Sequence, residues 1–179
     1  MTAANSVPEK YQLSFGYSQA EDRLVMIMQS GGKLSNLLFT RRLTALLING
    51  LADILVRSSA MASRAPEALR EDIVLMEHQS VMQQAQAATT VPAPPPQAPI
   101  DAREIAAPIL IQTINIATHP NHFVLEFKPE QGTPVIAALN RADLHRVLEV
   151  LKRRADEANW NLPVGAAWLS ATPAAVTLN

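Results

Sequence analysis

The chain of 179 residues contains no cysteine and only six glycines. Without cysteine, disulfide bonds, thiolate metal sites, iron–sulfur clusters and cysteine nucleophiles are excluded. The few glycines form no phosphate-binding loop or nucleophile elbow, and no H-E-x-x-H zinc pattern occurs. The sequence therefore predicts a protein that is not an enzyme and that holds no cofactor or metal.

Charged residues are also few, at 17% of the chain against about 25% in an average globular protein. The 15 basic side chains nearly cancel the 16 acidic ones, and the net charge is -1. Neither half of the chain has the basic excess that a nucleic-acid-binding surface needs. Nucleic acid is therefore not a predicted partner.

A long apolar run is missing as well. The most apolar stretch, Leu43 to Val56, is shorter than the about 20 residues of a membrane span. The first residues lack the basic segment followed by an apolar one that a secretory signal requires. These features predict a soluble, cytoplasmic protein without a membrane span.

Proline is abundant in one place, and this defines the predicted domains. Five of the 13 prolines lie between Pro92 and Pro99. Proline lacks the backbone donor and fixes φ, so this stretch predicts an extended linker at 91–100. The remaining ranges predict an N-terminal module (1–90), a C-terminal module (101–169) and a flexible tail (170–179).

The predicted fold class is α+β, with a βββαα module and a βββα module. Period-two alternation and turn residues predict three strands between residues 11 and 39, followed by helices from Thr40 and from near Pro66. Three more strands are predicted between residues 108 and 139, followed by a helix capped by Asn140. Trp160 is expected to fold back on the core. The repeated order suggests a pseudo-duplication, although coincidence explains it equally well.

The first helix is apolar on more than one side, which suggests an interface. Its 3.6-residue stripe should cover the first sheet and leaves Ile48 and Val56 on other sides. These two side chains should be covered either by the second helix, through Met76, or by another chain. The second option predicts a protein partner or a homo-oligomer. The predicted stripe consists of Leu43, Leu46, Leu47, Leu51, Ile54 and Leu55.

Arg41 and Arg42 lie in the first turn of this helix, where the macrodipole disfavours basic residues. One hypothesis is an anion site, in which the two guanidinium groups and the free amides bind a phosphate or carboxylate. The other is an internal ion pair with Glu21 or Asp22.

The histidines and the basic cluster predict no site. His119 and His122 have metal-ligand spacing but no third ligand, so they are expected to be polar turn residues. His78 and His145 stand alone on predicted helices and are expected to face solvent. The cluster Lys152 to Arg154 lies near a helix C-terminus, where the dipole favours cations.

The segments EDRL at 21–24 and FTRRL at 39–43 resemble a pattern in a group of uncharacterised bacterial proteins of similar length. The similarity extends through the segment 159–163, but it implies no activity. The first functional hypothesis is an interaction or structural protein, such as an adaptor, an assembly factor or a complex subunit. A regulatory domain that binds a small anion at Arg41 and Arg42 is the alternative, and an enzyme is a third.

Overall fold

A computed structural model describes residues 12–30, 32–89 and 107–170. The predicted linker at 91–100 and all but the first residue of the predicted tail lie outside the described residues. The strands are β1 (Gln12–Ser18), β2 (Arg23–Ser30), β3 (Lys33–Phe39), β4 (Ile109–Thr118), β5 (Phe123–Pro129) and β6 (Val135–Leu139). The helices are α1 (Arg41–Arg57), α2 (Arg70–Thr89), α3 (Arg141–Glu157) and the short α4 (Ala167–Ser170), and two 3-10 turns separate α1 from α2.

The six strands form one sheet in chain order. Neighbouring strands are antiparallel except at the centre, where β3 and β4 run parallel through the pairs Leu37 with Ile109 and Leu38 with Leu110. A parallel pair needs a long crossover, and the connection that contains α1 and α2 provides it. The α+β class is therefore confirmed, but the two sets of three strands share one sheet.

Helices α1 and α3 begin where the sequence predicts. The Thr40 hydroxyl accepts a hydrogen bond from the Leu43 amide at 3.2 Å, and the Asn140 side chain accepts from the Asp143 amide at 2.9 Å. Each side chain satisfies one amide that the first helical turn leaves without a partner. The two predicted N-caps are confirmed, and each fixes the point at which the chain leaves the sheet.

The core lies between one face of the sheet and the pair α1 and α3. The two helices pack against each other, and α3 contacts β6 with one part and β1 with another. A helix of 17 residues is about 25 Å long, close to the width of six strands. Helix α3 thus crosses the sheet between its two edge strands. Helix α2 packs over α1 and α3.

The prediction that Leu46 belongs to the core is wrong, since its side chain is 59% exposed. Met76 on α2, one of the two expected covers of α1, is 68% exposed. The buried face is rotated by about a quarter of a turn because α1 packs against α3 as well as against the sheet. It consists of Thr44, Leu47, Ile48, Leu51, Ala52 and Leu55.

The segment after α3, residues 158–170, is here called the C-terminal strap. Trp160 is 4% exposed, so the prediction that it folds back on the core is confirmed. The Asn49 amide then donates to the Pro163 carbonyl at 2.9 Å, and the Asn49 Oδ1 accepts from the Gly165 amide at 2.7 Å. These bonds lead the strap across α1 to α2, where α4 packs. Among the described helices, none is long and apolar enough to cross a membrane.

Candidate functional site: a histidine-lined cleft and an open sheet face

Arg41 forms the predicted ion pair. Its Nη2 lies 3.1 Å from the Asp22 Oδ2, and its guanidinium carbon lies 5.4 Å from the centre of the Trp160 ring. Asp22 also accepts hydrogen bonds from the Tyr17 hydroxyl at 2.7 Å and the Trp160 Nε1 at 2.6 Å. These two bonds, with the charge of Arg41, lower the pKa of Asp22. An anion at Arg41 would have to compete with this carboxylate, while the neighbouring Arg42 is exposed.

Ile48 and Val56 are covered within the chain. The side chain of Ile48 is 1% exposed and belongs to the core, and Val56 is half-buried against the same core. Of the two expected coverings, by the chain itself or by another chain, packing within the chain is the one observed for Ile48.

The histidine turn and the basic cluster have structural contacts. The rings of His119 and His122 stack with centres 4.6 Å apart, and a backbone hydrogen bond of 2.9 Å closes the turn. Within the described ranges, no three His, Cys, Asp or Glu side chains are grouped so that they could hold a metal. Lys152 pairs with Asp156 at 2.8 Å, and Arg154 pairs with Glu157 at 2.7 Å, so these cations form pairs along α3.

His78 and His145 are buried, and the prediction that they face solvent is wrong. They are 7% and 1% exposed, and their Nδ1 atoms lie 3.2 Å apart between α2 and α3. The Nε2 of His78 lies 3.2 Å from the Glu149 Oε2. Both residues lie on the faces through which α2 and α3 pack against each other. They are 67 positions apart in the chain, so the local sequence around each one does not reveal the contact.

Behind the histidines, Arg141 joins three helices. Its Nη2 donates to the Glu77 Oε2 at 2.6 Å and to the Leu55 carbonyl at 2.7 Å, and its Nη1 donates to the Ser58 hydroxyl at 2.8 Å. The guanidinium therefore lies at the C-terminal end of α1, where a positive charge is favourable. Glu77 also accepts from the Ser59 hydroxyl at 2.7 Å. The result is a polar network from α1 through α2 to α3.

The protonation of this network follows from burial and charge. Burial lowers the pKa of His145 to about 3, with further lowering by His78 and Arg141, so this ring is neutral at pH 7. The hydrogen bond from His78 lowers the pKa of Glu149, so this carboxylate is ionised. Both nitrogens of His78 are occupied, and the remaining Nε2 of His145 is buried. In this arrangement neither ring presents a nitrogen to a substrate, as a general base must.

His78 and Glu149 also line a cleft of about 420 Å³ between α2, α3 and α4. This volume is within the range of small-molecule sites. The cleft combines an apolar wall with amide and charged side chains, and it was not apparent from the sequence because its lining comes from three separate helices. The lining residues are Leu75, His78, Gln79, Met82, Gln83, Gln86, Glu149, Lys152, Trp168, Leu169 and Ser170.

The sheet face opposite α1 and α3 is here called the open sheet face. Register places Val25, Leu38 and Leu110 side by side on it across β2, β3 and β4. Leu38 is 8% exposed, and Val25 and Leu110 are half-buried, but none belongs to the core under the helices. None of the described helices lies on this face.

Register places three charged side chains on the open sheet face, Arg23 at the start of β2 and the pair Glu126 and Lys128 on β5. Lys128 lies 3.1 Å from Glu126, and the Asn115 amide donates to the same carboxylate oxygen at 2.9 Å. The bonds from Asn115 and Lys128 lower the pKa of Glu126. This part of the face therefore carries one balanced ion pair.

Comparison of the chain with protein-family models, curated proteins and solved structures found no match.

Proposed function

We propose that this chain is a non-enzymatic interaction or structural protein, and that it assembles with a second copy of itself through the open sheet face. The observation that carries the proposal is that the described helices cover only one face of the sheet. The other face carries a row of apolar side chains across its central strands. Burying apolar surface contributes roughly 25 cal/mol per Å².

The size of the face supports a stable contact. Six strands spaced about 4.8 Å apart, each about seven residues long, present roughly 600 Å² in flat projection. A pleated surface has a larger accessible area than its projection, and a standard interface buries about 800 Å² per partner. Two such faces would pack as stacked sheets, with strands about 30° from alignment.

The charge of the face favours a second copy over a partner of different chemistry. Its ion pair between Glu126 and Lys128 is internally balanced, and the one further charged side chain, Arg23, lies at the end of β2, so most of the contact area is uncharged. A hetero-partner with a strong charge of one sign would find little complementary charge there. The two-fold contact between identical faces is the commonest way in which soluble chains assemble.

The absence of catalysis is supported by the histidine network. Both ring nitrogens of His78 are within hydrogen-bond distance of a partner. His145 is neutral, and its Nε2, which has no hydrogen-bond partner, is buried. A reaction that used either ring nitrogen as a general base would need this network to break first.

The two halves are further proposed to be a duplicated unit. The unit βββα occurs twice across the sheet, with α1 and α3 following the third strand of each half. Each helix starts after a side-chain cap, Thr40 or Asn140, and each cap is followed by an arginine.

Light scattering or sedimentation tests the assembly with the change Ile27→Glu. Ile27 is half-buried and lies two residues after Val25 in β2, so both side chains are on the open sheet face. Wild type should show twice the chain mass of 19.4 kDa, and Ile27→Glu should show the single-chain mass with an unchanged far-UV spectrum.

Leu46→Glu is the matched control, because Leu46 is an exposed aliphatic residue on the helical side. It should keep the wild-type mass. A wild type that stays at 19.4 kDa at all concentrations contradicts the proposal, and so does a mass that Leu46→Glu lowers as much as Ile27→Glu.

A further inference from the structure

We infer that the cleft between α2, α3 and α4 is a binding site for a free α-amino acid with a large apolar side chain. The cleft is big enough for such a molecule and presents three kinds of group to it: a carboxylate, an ammonium and an apolar wall. This inference is independent of the sheet-face assembly.

The two charged groups have the spacing that a zwitterion requires. Glu149 and Lys152 are three positions apart on α3 and both line the cleft. Side chains at this spacing are neighbours on one helix face, with Cβ atoms about 5–6 Å apart. An α-ammonium and an α-carboxylate, which share one carbon atom, can therefore contact Glu149 and Lys152 at the same time.

Both charged groups keep hydrogen-bonding capacity. The Glu149 carboxylate receives His78 Nε2 at 3.2 Å, but a carboxylate has about four acceptor sites. The Lys152 ammonium donates to Asp156 at 2.8 Å, but an ammonium has three donors. Each group can add a charge-assisted hydrogen bond without giving up its present partner.

The apolar wall indicates which amino acids fit. Leu75 and Met82 from α2 line the cleft together with Trp168 and Leu169 from α4. Methionine adapts its shape readily, which suits side chains such as leucine, methionine or phenylalanine. Trp168 is 3% exposed and adds part of an aromatic side chain to this wall.

The carboxylate of the site is held in place before a ligand arrives. Glu149 is bonded to His78, and His78 is in turn bonded to the buried His145. The opposite wall belongs to the C-terminal strap, which Asn49 fastens to α1. Such pre-organisation lowers the entropy that binding costs.

Calorimetric titration of the full chain with L-leucine, L-methionine and L-phenylalanine tests the inference. Tryptophan fluorescence provides a second readout, since Trp168 lies in the cleft wall. We expect saturable binding, a fluorescence change that Trp168→Phe removes, and affinity about tenfold lower in Glu149→Gln and in Lys152→Gln. N-acetyl-L-leucine and L-leucinamide, which each lack one charge, should bind about tenfold more weakly than L-leucine.

Asp143→Asn and Arg146→Gln are the matched controls, because this exposed pair has the same three-residue spacing on α3 but does not line the cleft. Both should bind as wild type does. Absence of saturable binding, equal binding of L-leucine and its two analogues, or full affinity in Glu149→Gln overturns the inference. Ile27→Glu should still bind leucine, and Glu149→Gln should keep the wild-type mass, so the two proposals fail separately.

Discussion

The ring of His145 is enclosed by α2 and α3 and is 1% exposed. His78 and Glu77 face it from α2, and Arg141 precedes it by one turn on α3. Water cannot compensate a second positive charge there, so the ring stays neutral in the folded protein until the pH approaches its pKa of about 3. In the unfolded chain the same ring is protonated below about pH 6.5.

This difference makes the stability depend on pH. Between about pH 6.5 and 3 the unfolded state binds one more proton at His145 than the folded state does, so the free energy of unfolding falls as the pH falls. The expected loss from this residue is about 1.4 kcal/mol per pH unit. Urea unfolding at pH 7, 6 and 5 measures it, and the slope should be smaller in His145→Gln.

His122→Gln serves as the control for this experiment, because His122 lies in a surface turn and stacks only on His119 among the described rings. Its slope should equal that of wild type. The measurements stay at pH 5 and above because the lowered pKa values of Asp22, Glu126 and Glu149 change the stability mainly at lower pH. There these carboxylates become protonated in the unfolded chain while they stay ionised in the folded protein. An unchanged slope in His145→Gln contradicts the prediction.

At the scale of elements, the C-terminal strap lies outside helices and strands from residue 158 to residue 166. Its attachment depends on one side chain of α1, since Asn49 both donates to Pro163 and accepts from Gly165. Two residues of the strap, Asn159 and Asn161, have φ of 55° and 47°, a conformation that asparagine tolerates better than most residues. The strap is therefore held by specific polar contacts in addition to the burial of Trp160 and Trp168.

Removal of the Asn49 amide should loosen the strap. Asn49→Ala is expected to cost about 1–2 kcal/mol of stability, the value of one or two hydrogen bonds, and to increase hydrogen exchange at the Gly165 amide. Asn49→Asp keeps an acceptor for Gly165 and loses the donor to Pro163, so it should preserve most of the protection at Gly165. Equal exchange at Gly165 in wild type and Asn49→Ala would show that the strap is held by its tryptophans alone.

The positions of the helices and strands were largely predictable from the sequence. Which face of each helix is buried was not. Thr40 and Asn140 are local signals, because an N-cap acts on an amide three residues away. The exposure of Leu46 and the burial of His78 depend on which helices pack together. The sequence predicts one helix over each three-stranded sheet, whereas α1 and α3 pack side by side on a shared sheet. The cleft was missed for the same reason.

At the scale of the whole molecule, the two halves share one core. The buried cluster combines residues of both halves, such as Phe39 and Phe127, whose rings meet edge to face at 5.7 Å. Arg141 adds a polar link from the second half to α1 and α2 in the first. A chain built in this way should unfold as one unit, because neither half keeps its core without the other.

A cavity-creating substitution on α3 tests whether the two halves unfold together. Leu148 is fully buried in the shared core, and Leu148→Ala is expected to cost about 2–5 kcal/mol. Tryptophan fluorescence and far-UV circular dichroism should then shift to the same lower denaturant midpoint, as in a two-state transition. Two separated transitions, with only one moved by the substitution, would contradict a single cooperative unit.

The crossing of α3 over the sheet also has a consequence during synthesis of the chain. The strands of the first half leave the ribosome before α3, which contacts β1 and begins only at Arg141. Translation at about 5–20 residues per second leaves roughly 5 to 20 s between completion of β3 and emergence of α3. During that interval the apolar side chains of β1 lack the helix that later contacts them, and they are accessible to chaperones and to other nascent chains.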